Sequence, residues 1–269
     1  MNVSEAALKL AKRQQPLVIA GLGFLVLFLI LVFLSLFDAE QILGVNRWIK
    51  PIKFAVSIGM FLLTLTFYLD SLRGVQKAKS MIAWGAISTM IVEMVLIAMQ
   101  AARGTTSHFN VSNPFDGIVF GVMGIAIFIN TLLVFYLLGL LFYAPSDLSR
   151  VVVLGMRLGL ILFLAASIEG GYMAGHLSHS VGVADGGDGL PIVNWSLAGG
   201  DLRVAHFVGL HAVQTIPLAA FFFVRLQKSL PAVRPALLTI AFSIIYFALF
   251  SLLFGQALLG KPLLEKQLF

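Results

Sequence analysis

Seven long apolar stretches occupy most of this chain of 269 residues. Each reaches the roughly 20 apolar residues that one helical crossing of a bilayer requires. The stretches lack the period-two alternation of membrane strands, so they are expected to be helices. The predicted spans are residues 16–37, 51–70, 81–102, 114–144, 150–175, 201–225 and 235–260. We therefore predict an all-α polytopic membrane protein, a bundle of seven transmembrane helices.

The composition supports the same class. Hydrophobic residues make up 59% of the chain and charged residues 11%, whereas soluble domains have about 25% charged residues. We expect one transmembrane domain over residues 1–269, with a short cytoplasmic segment at residues 1–15 and one long outer loop at residues 177–200. The chain has no cysteine, which excludes disulfides, thiolate metal sites and c-type haem attachment.

Basic residues set the expected orientation. Lys and Arg cluster at the ends of the apolar stretches, so the net charge of +6 indicates topology signals rather than nucleic-acid binding. An inside N-terminus, with Lys9, Lys12 and Arg13, places eleven of the eighteen basic residues inside and seven outside. The positive-inside rule then predicts N-inside and C-outside.

Ionisable residues within the spans point to a functional site. An acid in lipid is costly and persists where it faces the bundle interior or a wet cavity, which singles out Glu93 and Glu169. We expect an outward-facing pocket in which Glu93 and His211 form a deep acid/base pair, and Glu169 and His176 form a second pair. The histidine His108, in an outer loop, is expected to be solvated. All five histidines fall on the predicted outer side, namely His108, His176, His179, His206 and His211.

Other polar residues at similar depth would complete this pocket. Gln100 lies two helical turns from Glu93 on the same face, and Gln214 lies three residues beyond His211. The outer basic residues would hold an anionic part of a ligand, and they are Lys50, Lys53, Arg103 and Arg203.

Four interpretations of these groups remain open. First, a transition metal (Zn, Fe or Cu) is held by His176, His179, His206, His211 and Glu169, with His176 and His179 spaced for one helix face. Second, one haem is ligated between helices. Third, the pairs transfer protons or hold a polar ligand without metal. Fourth, they form a hydrogen-bonded polar core. Since His206 and His211 differ by about 140° around a helix, they cannot both point at one spot without help from a distortion of the helix or from another element.

Two further patterns concern helix packing. The pairs Gly117/Gly121, Gly155/Gly159 and Gly171/Gly175 are small-xxx-small motifs, which allow close contact between membrane helices. Pro217, within the sixth span, predicts a kink below His211.

Three segments carry a resemblance to a known group of proteins. Residues 50–54 (KPIKF), 100–110 (QAARGTTSHFN) and 201–211 (DLRVAHFVGLH) resemble stretches of bacterial multi-pass membrane proteins without an assigned activity. The resemblance implies a membrane bundle in a bacterial cytoplasmic (inner) membrane, and it implies no reaction. Microbial rhodopsins are excluded because the seventh span has no lysine, and rhomboid proteases because a Gly-x-Ser motif paired with a helix histidine is missing.

The expected function is binding, and in one version turnover, of a small polar or lipid-headgroup ligand, with metal assistance as an option. The alternatives are a proton-coupled transporter or sensor, a haem-binding subunit, or a structural subunit of a membrane complex. Membrane lipid and a small polar or anionic ligand are the expected partners.

Overall fold

The computed structural model describes residues 14–264, and within that range the fold is all-α. The helices are α1 (Gln15–Ser35), α2 (Ile49–Ser71), α3 (Gln76–Ala102), α4 (Pro114–Tyr143), α5 (Arg150–His176), α6 (Leu202–Ser229) and α7 (Pro235–Leu258). All seven are long and apolar enough to cross a membrane. The predicted class is confirmed, and the chain is a multi-pass membrane protein. Most of the expected cytoplasmic segment, with Lys9, Lys12 and Arg13, lies outside the described residues, as does Lys266.

The helix ends follow local sequence signals. Proline occupies the first turn of α1, α4 and α7. The backbone N–H groups of a first turn have no acceptor within the helix, so the N–H that proline lacks is not needed there. The side chains of Asn113, Ser149 and Asp201 accept hydrogen bonds from the first turns of α4, α5 and α6. Helices α3 and α6 extend beyond the predicted spans to Gln76 and Ser229. The run of apolar residues predicts only the part of a helix that lies in lipid, whereas the hydrogen-bonded helix continues into polar residues.

The chain folds as two compact units, Met1–Asp147 and Leu148–Phe269. In the first unit α1 packs on α2, α2 on α3, and α3 on α4. A buried cluster of Ile97, Val119 and Met123 joins α3 to α4. Two short antiparallel strands, β1 (Gln41–Ile42) and β2 (Val45–Asn46), connect α1 to α2. The expectation of a single domain stays a prediction.

In the second unit α5, α6 and α7 pack against one another. The core that joins them consists of Leu162, Ala166, Ala205, Ala212, Ile216 and Phe250. The segment after α5, predicted as an irregular loop, contains two paired strands, β3 (Ser180–Val181) and β4 (Gly200–Asp201). Gly200 lies so close to α7 that a Cβ there would collide with the Ala257 carbonyl oxygen, so β4 is held directly against that helix.

Candidate functional site

In the first unit the buried carboxyl group of Glu93 faces His108. Glu93 lies in α3 and is 1% exposed. Its Oε1 is 3.4 Å from Nε2 of His108, which is longer than a normal N–H···O hydrogen bond. Within the described chain neither carboxyl oxygen of Glu93 accepts a hydrogen bond. The two side chains are therefore in contact, but no hydrogen bond of normal length joins them.

His108 belongs to the loop between α3 and α4. Glu93 lies nine residues before the end of α3, about 14 Å along the helix axis, so the loop folds back into the bundle to reach it. Asn110 braces the loop from inside: its amide donates to Thr105 Oγ1 at 3.0 Å, and its Oδ1 accepts from Ser112 Oγ at 2.7 Å. The residue that follows the histidine, Phe109, adopts a left-handed φ of 59°.

Aromatic rings surround the imidazole of His108. Its ring centroid is 5.6 Å from that of Phe54 and 6.3 Å from that of Phe120, and its Nδ1 lies 3.1 Å from Ser107 Oγ. Lys50, at the start of α2, lies over the ring of Phe54, the same ring that contacts the imidazole of His108. The site thus combines a carboxyl group, an imidazole and an ammonium group within apolar walls. The expectation that His108 is merely solvated is wrong.

In the second unit Glu169 and His206 form a comparable pair. Glu169 is 4% exposed, and among the described residues neither of its carboxyl oxygens accepts a hydrogen bond. Its Oε2 lies 4.0 Å from Nδ1 of His206. That nitrogen is 2.9 Å from the Ala166 carbonyl oxygen. Because a carbonyl only accepts, Nδ1 carries the proton and donates it, which leaves Nε2 as an acceptor. Gly170 makes room for the ring, since a Cβ there would lie 2.9 Å from Cε1 of His206.

The expected pairing of Glu169 with His176 is therefore replaced by the pairing of Glu169 with His206. His176 is exposed and its Nδ1 lies 2.9 Å from the Tyr172 carbonyl oxygen of its own helix. His211 likewise turns to its own helix, 2.7 Å from the Phe207 carbonyl oxygen. Glu93 and His211 belong to different units, so their expected pairing stays a prediction.

The proposed helical face of His176 and His179 is also wrong. Helix α5 ends at His176, and Leu177 adopts a left-handed φ of 53°. His179 follows in the loop, where its Nδ1 lies 3.4 Å from Asp185 Oδ1 and 3.8 Å from Asp201 Oδ1. In the described part of the chain, no group of three or more His, Asp and Glu side chains is placed to hold a metal ion. The metal interpretation thus gains no support from the geometry.

Two residues expected to bind ligand instead stabilise the start of α4. Asp116 is buried and accepts hydrogen bonds from Gln100 Nε2 at 2.8 Å and from Asn113 Nδ2 at 2.6 Å. Arg103 donates to the same carboxylate at 2.5 Å and stacks on Phe115 with 4.6 Å between its guanidinium carbon and the ring centroid. Gln100 and Arg103 are therefore held by Asp116, which sequence reasoning missed.

Arg203 has a similar structural role in the second unit. It donates to the fully buried Asp201 through Nε at 2.9 Å and Nη2 at 2.6 Å. Nearby, the pKa of Asp185 lies below its ordinary value. Partial burial alone would raise this pKa, but the charge of His179 and the hydrogen bonds from Ser178 and Ser180 together lower it by more. This cluster fixes the loop after α5 and leaves Arg203 committed to a carboxylate.

Of the remaining predicted residues, Lys50 lies beside the first site, with its Nζ 6.0 Å from the Phe54 ring centroid. Lys53 and Gln214 are half-buried and have partners of their own. A signal for His108 was present in the sequence, because Ser107-His-Phe-Asn110 places two aromatic rings inside an otherwise polar loop.

Comparisons with protein-family models, with curated proteins and with solved structures found no match to this chain.

Proposed function

We propose that this protein binds a small anionic molecule or lipid headgroup at Glu93, His108 and Lys50, and that binding is linked to the protonation of Glu93. Such a site would serve a proton-coupled transporter or a membrane sensor. The observation that carries the proposal is the state of the Glu93 carboxyl group, which is buried, lacks a hydrogen bond among the described residues, and lies 3.4 Å from an imidazole.

The physical reason is that an isolated carboxylate is costly in an apolar environment. Glu93 is stable there as the neutral acid or as a carboxylate paired with a cation. Two partners suit the second state: His108, at 3.4 Å, and Lys50, which lies over the Phe54 ring beside that histidine. An anion that enters the site would compete with Glu93 for these cations. Binding of the anion would then favour protonation of the glutamate, which couples the ligand to a proton.

The test compares Glu93→Gln with Glu40→Gln, which neutralises an exposed loop glutamate of the same unit. Purified protein in lipid nanodiscs is titrated with inorganic phosphate, glycerol 3-phosphate and acetate at several pH values, and thermal stability is recorded. We expect wild type and Glu40→Gln to bind at least one of these anions with a pH-dependent affinity. Glu93→Gln should bind without pH dependence or not at all.

Infrared spectroscopy gives a second readout without a ligand. The pH-induced difference spectrum should contain a carboxyl band that Glu93→Gln removes and Glu40→Gln retains. The proposal fails if Glu93→Gln keeps both this band and the pH dependence of wild type. Since a carboxyl–imidazole pair is also suited to general acid–base catalysis, NMR of the same samples would detect turnover of the added compounds.

We also propose a bacterial cytoplasmic membrane with an inside N-terminus, on the resemblance and the distribution of basic residues. The chain has no cysteine, so single cysteines report topology directly. In intact cells a membrane-impermeant maleimide should label Ala184→Cys, in the loop after α5, and should not label Ser229→Cys, at the end of α6. The reverse pattern would refute this orientation.

A further inference from the structure

An apolar groove on the second unit lies between α6 and α7, further along α6 than His206. It has a volume of about 590 Å³, within the range of sites that hold small molecules. Four of the eight residues that line it are phenylalanines, namely Phe221, Phe222, Phe223 and Phe242. The groove therefore suits a hydrocarbon chain and offers little to a polar solute.

The dimensions of the groove fit one leaflet of a bilayer. Its lining runs along α6 from Thr215 to Arg225, a separation of ten residue steps or about 15 Å along the helix. One leaflet contributes about half of the roughly 30 Å hydrocarbon core. Arg225 lies two residues from the end of the apolar span, at Gln227, so its guanidinium is expected at the level of the lipid headgroups.

Charge is concentrated at this same end. Arg225 is exposed, and no hydrogen bond or ion pair joins it to another residue of the described chain. Lys228 follows one turn later in α6, and Arg234 precedes α7. A guanidinium binds phosphate through two parallel hydrogen bonds, and basic residues at the membrane surface attract anionic lipids.

We infer that this groove binds one anionic phospholipid, with an acyl chain between α6 and α7 and the headgroup phosphate on Arg225. Phosphatidylglycerol is a suitable probe, since it has a net negative charge and a phosphate. The inference is independent of the Glu93 site, because different residues in the other unit carry it.

Native mass spectrometry tests the inference on the full-length protein. The protein is incubated in detergent with phosphatidylglycerol and phosphatidylcholine of identical acyl chains, and retained lipids are counted. We expect wild type to retain one phosphatidylglycerol in preference to phosphatidylcholine. Arg225→Gln should lower this retention about fivefold, the effect of one basic residue at an anionic surface. Arg150→Gln, which removes an exposed arginine at the start of α5, is the matched control and should retain phosphatidylglycerol as wild type does.

A second variant tests the acyl-chain part of the site. Ala219 lines the groove, so Ala219→Trp fills it and should abolish preferential retention while Arg225 is still present. If Ala219→Trp fails to fold, Phe222→Trp provides a reporter whose fluorescence should be quenched saturably by brominated phosphatidylglycerol. Equal retention of both lipids by wild type, or equal losses in Arg225→Gln and Arg150→Gln, would overturn the inference.

Discussion

Gly159 in α5 is predicted to be a position where a single added methyl group destabilises the second unit. A Cβ at Gly159 would lie 2.6 Å from the carbonyl oxygen of Ala212 in α6 and 3.3 Å from Cδ of Pro217. Real Cβ atoms essentially never approach closer than 3.0 Å. Because the nearest atom is backbone and not a flexible side chain, the two helices must shift relative to each other to accept alanine.

The same helix offers a matched control in Gly171, where an added Cβ meets nothing within 4 Å. Gly→Ala in a helix gains up to about 1 kcal/mol in helix propensity at either position. At Gly159 overpacking opposes this gain with a cost of about 1–3 kcal/mol. The difference in unfolding free energy between Gly159→Ala and Gly171→Ala isolates that packing cost, and we expect about 1–3 kcal/mol with Gly159→Ala the less stable.

Equilibrium unfolding in mixed micelles, with increasing SDS and circular dichroism as the signal, measures both variants against wild type. A Gly159→Ala protein as stable as Gly171→Ala would show that α5 and α6 are not in close backbone contact. It would also remove the basis for the His206 bond to the α5 backbone, which depends on the same helix pair. Of the three predicted small-xxx-small pairs, only Gly155/Gly159 is expected to act in packing, because an added Cβ at the glycines of the other two pairs meets nothing within 4 Å.

Three other changes test the surroundings of the sites. Gly170→Ala should displace His206 from the α5 carbonyl, which the ¹⁵N chemical shift of its Nδ1 would report, whereas an unchanged shift would contradict the contact. The pKa of Asp185 is lowered in the folded protein, so its stabilisation of the loop is complete above its ordinary pKa of 3.8 and is lost as the pH falls through the lower folded value. In the Asp185→Asn variant at neutral pH, the amide hydrogens of this loop should therefore exchange with solvent faster than in wild type. Arg203→Lys should lower the melting temperature because lysine cannot donate the forked pair to Asp201, and a melting temperature like wild type would argue against that role.

The helices were predictable because lipid imposes a single requirement on every span. A run of about 20 apolar residues has to satisfy its backbone internally, and a helix does so within the segment. The caps of α4, α5 and α6 also follow from sequence, through Asn113, Ser149 and Asp201. The extension of α3 back to Gln76 was missed, since its first turn contains Lys77 and Lys79 and resembles a loop by hydropathy.

The partners of the buried acids were not predictable in the same way. Helical rise gives the depth of Glu93 and Glu169, and burial of both was expected because an ionisable group avoids lipid. Neither the helical rise nor the cost of burial predicts the path of a loop. His108 reaches Glu93 only because Asn110 and a left-handed Phe109 turn the chain back into the bundle, and these are contacts that form after folding.

Charge type alone also fails to separate ligand-binding residues from structural ones. Depth assigns Arg103 and Arg203 to a ligand, yet each donates to a buried aspartate, Asp116 or Asp201. A buried carboxylate needs several donors, and it takes them from the nearest arginine. Lys50 differs because it lies over the Phe54 ring beside His108, and the acid of that site, Glu93, accepts no hydrogen bond within the described residues.

The two Glu–His pairs differ in how firmly the histidine is held, and this difference decides where exchange with a ligand is expected. His206 is part of α6, and its Nδ1 proton is directed to a backbone carbonyl of α5, so the ring moves only if the helices move. His108 is in a loop, and its Nδ1 contacts a neighbouring hydroxyl in the same loop. Its separation from Glu93 would require the loop to rearrange and its ring to leave Phe54 and Phe120, but it would not require a helix to shift. Under the proposed function, the Glu93 site is therefore the one expected to open to a ligand, and the Glu169 site is expected to stay closed.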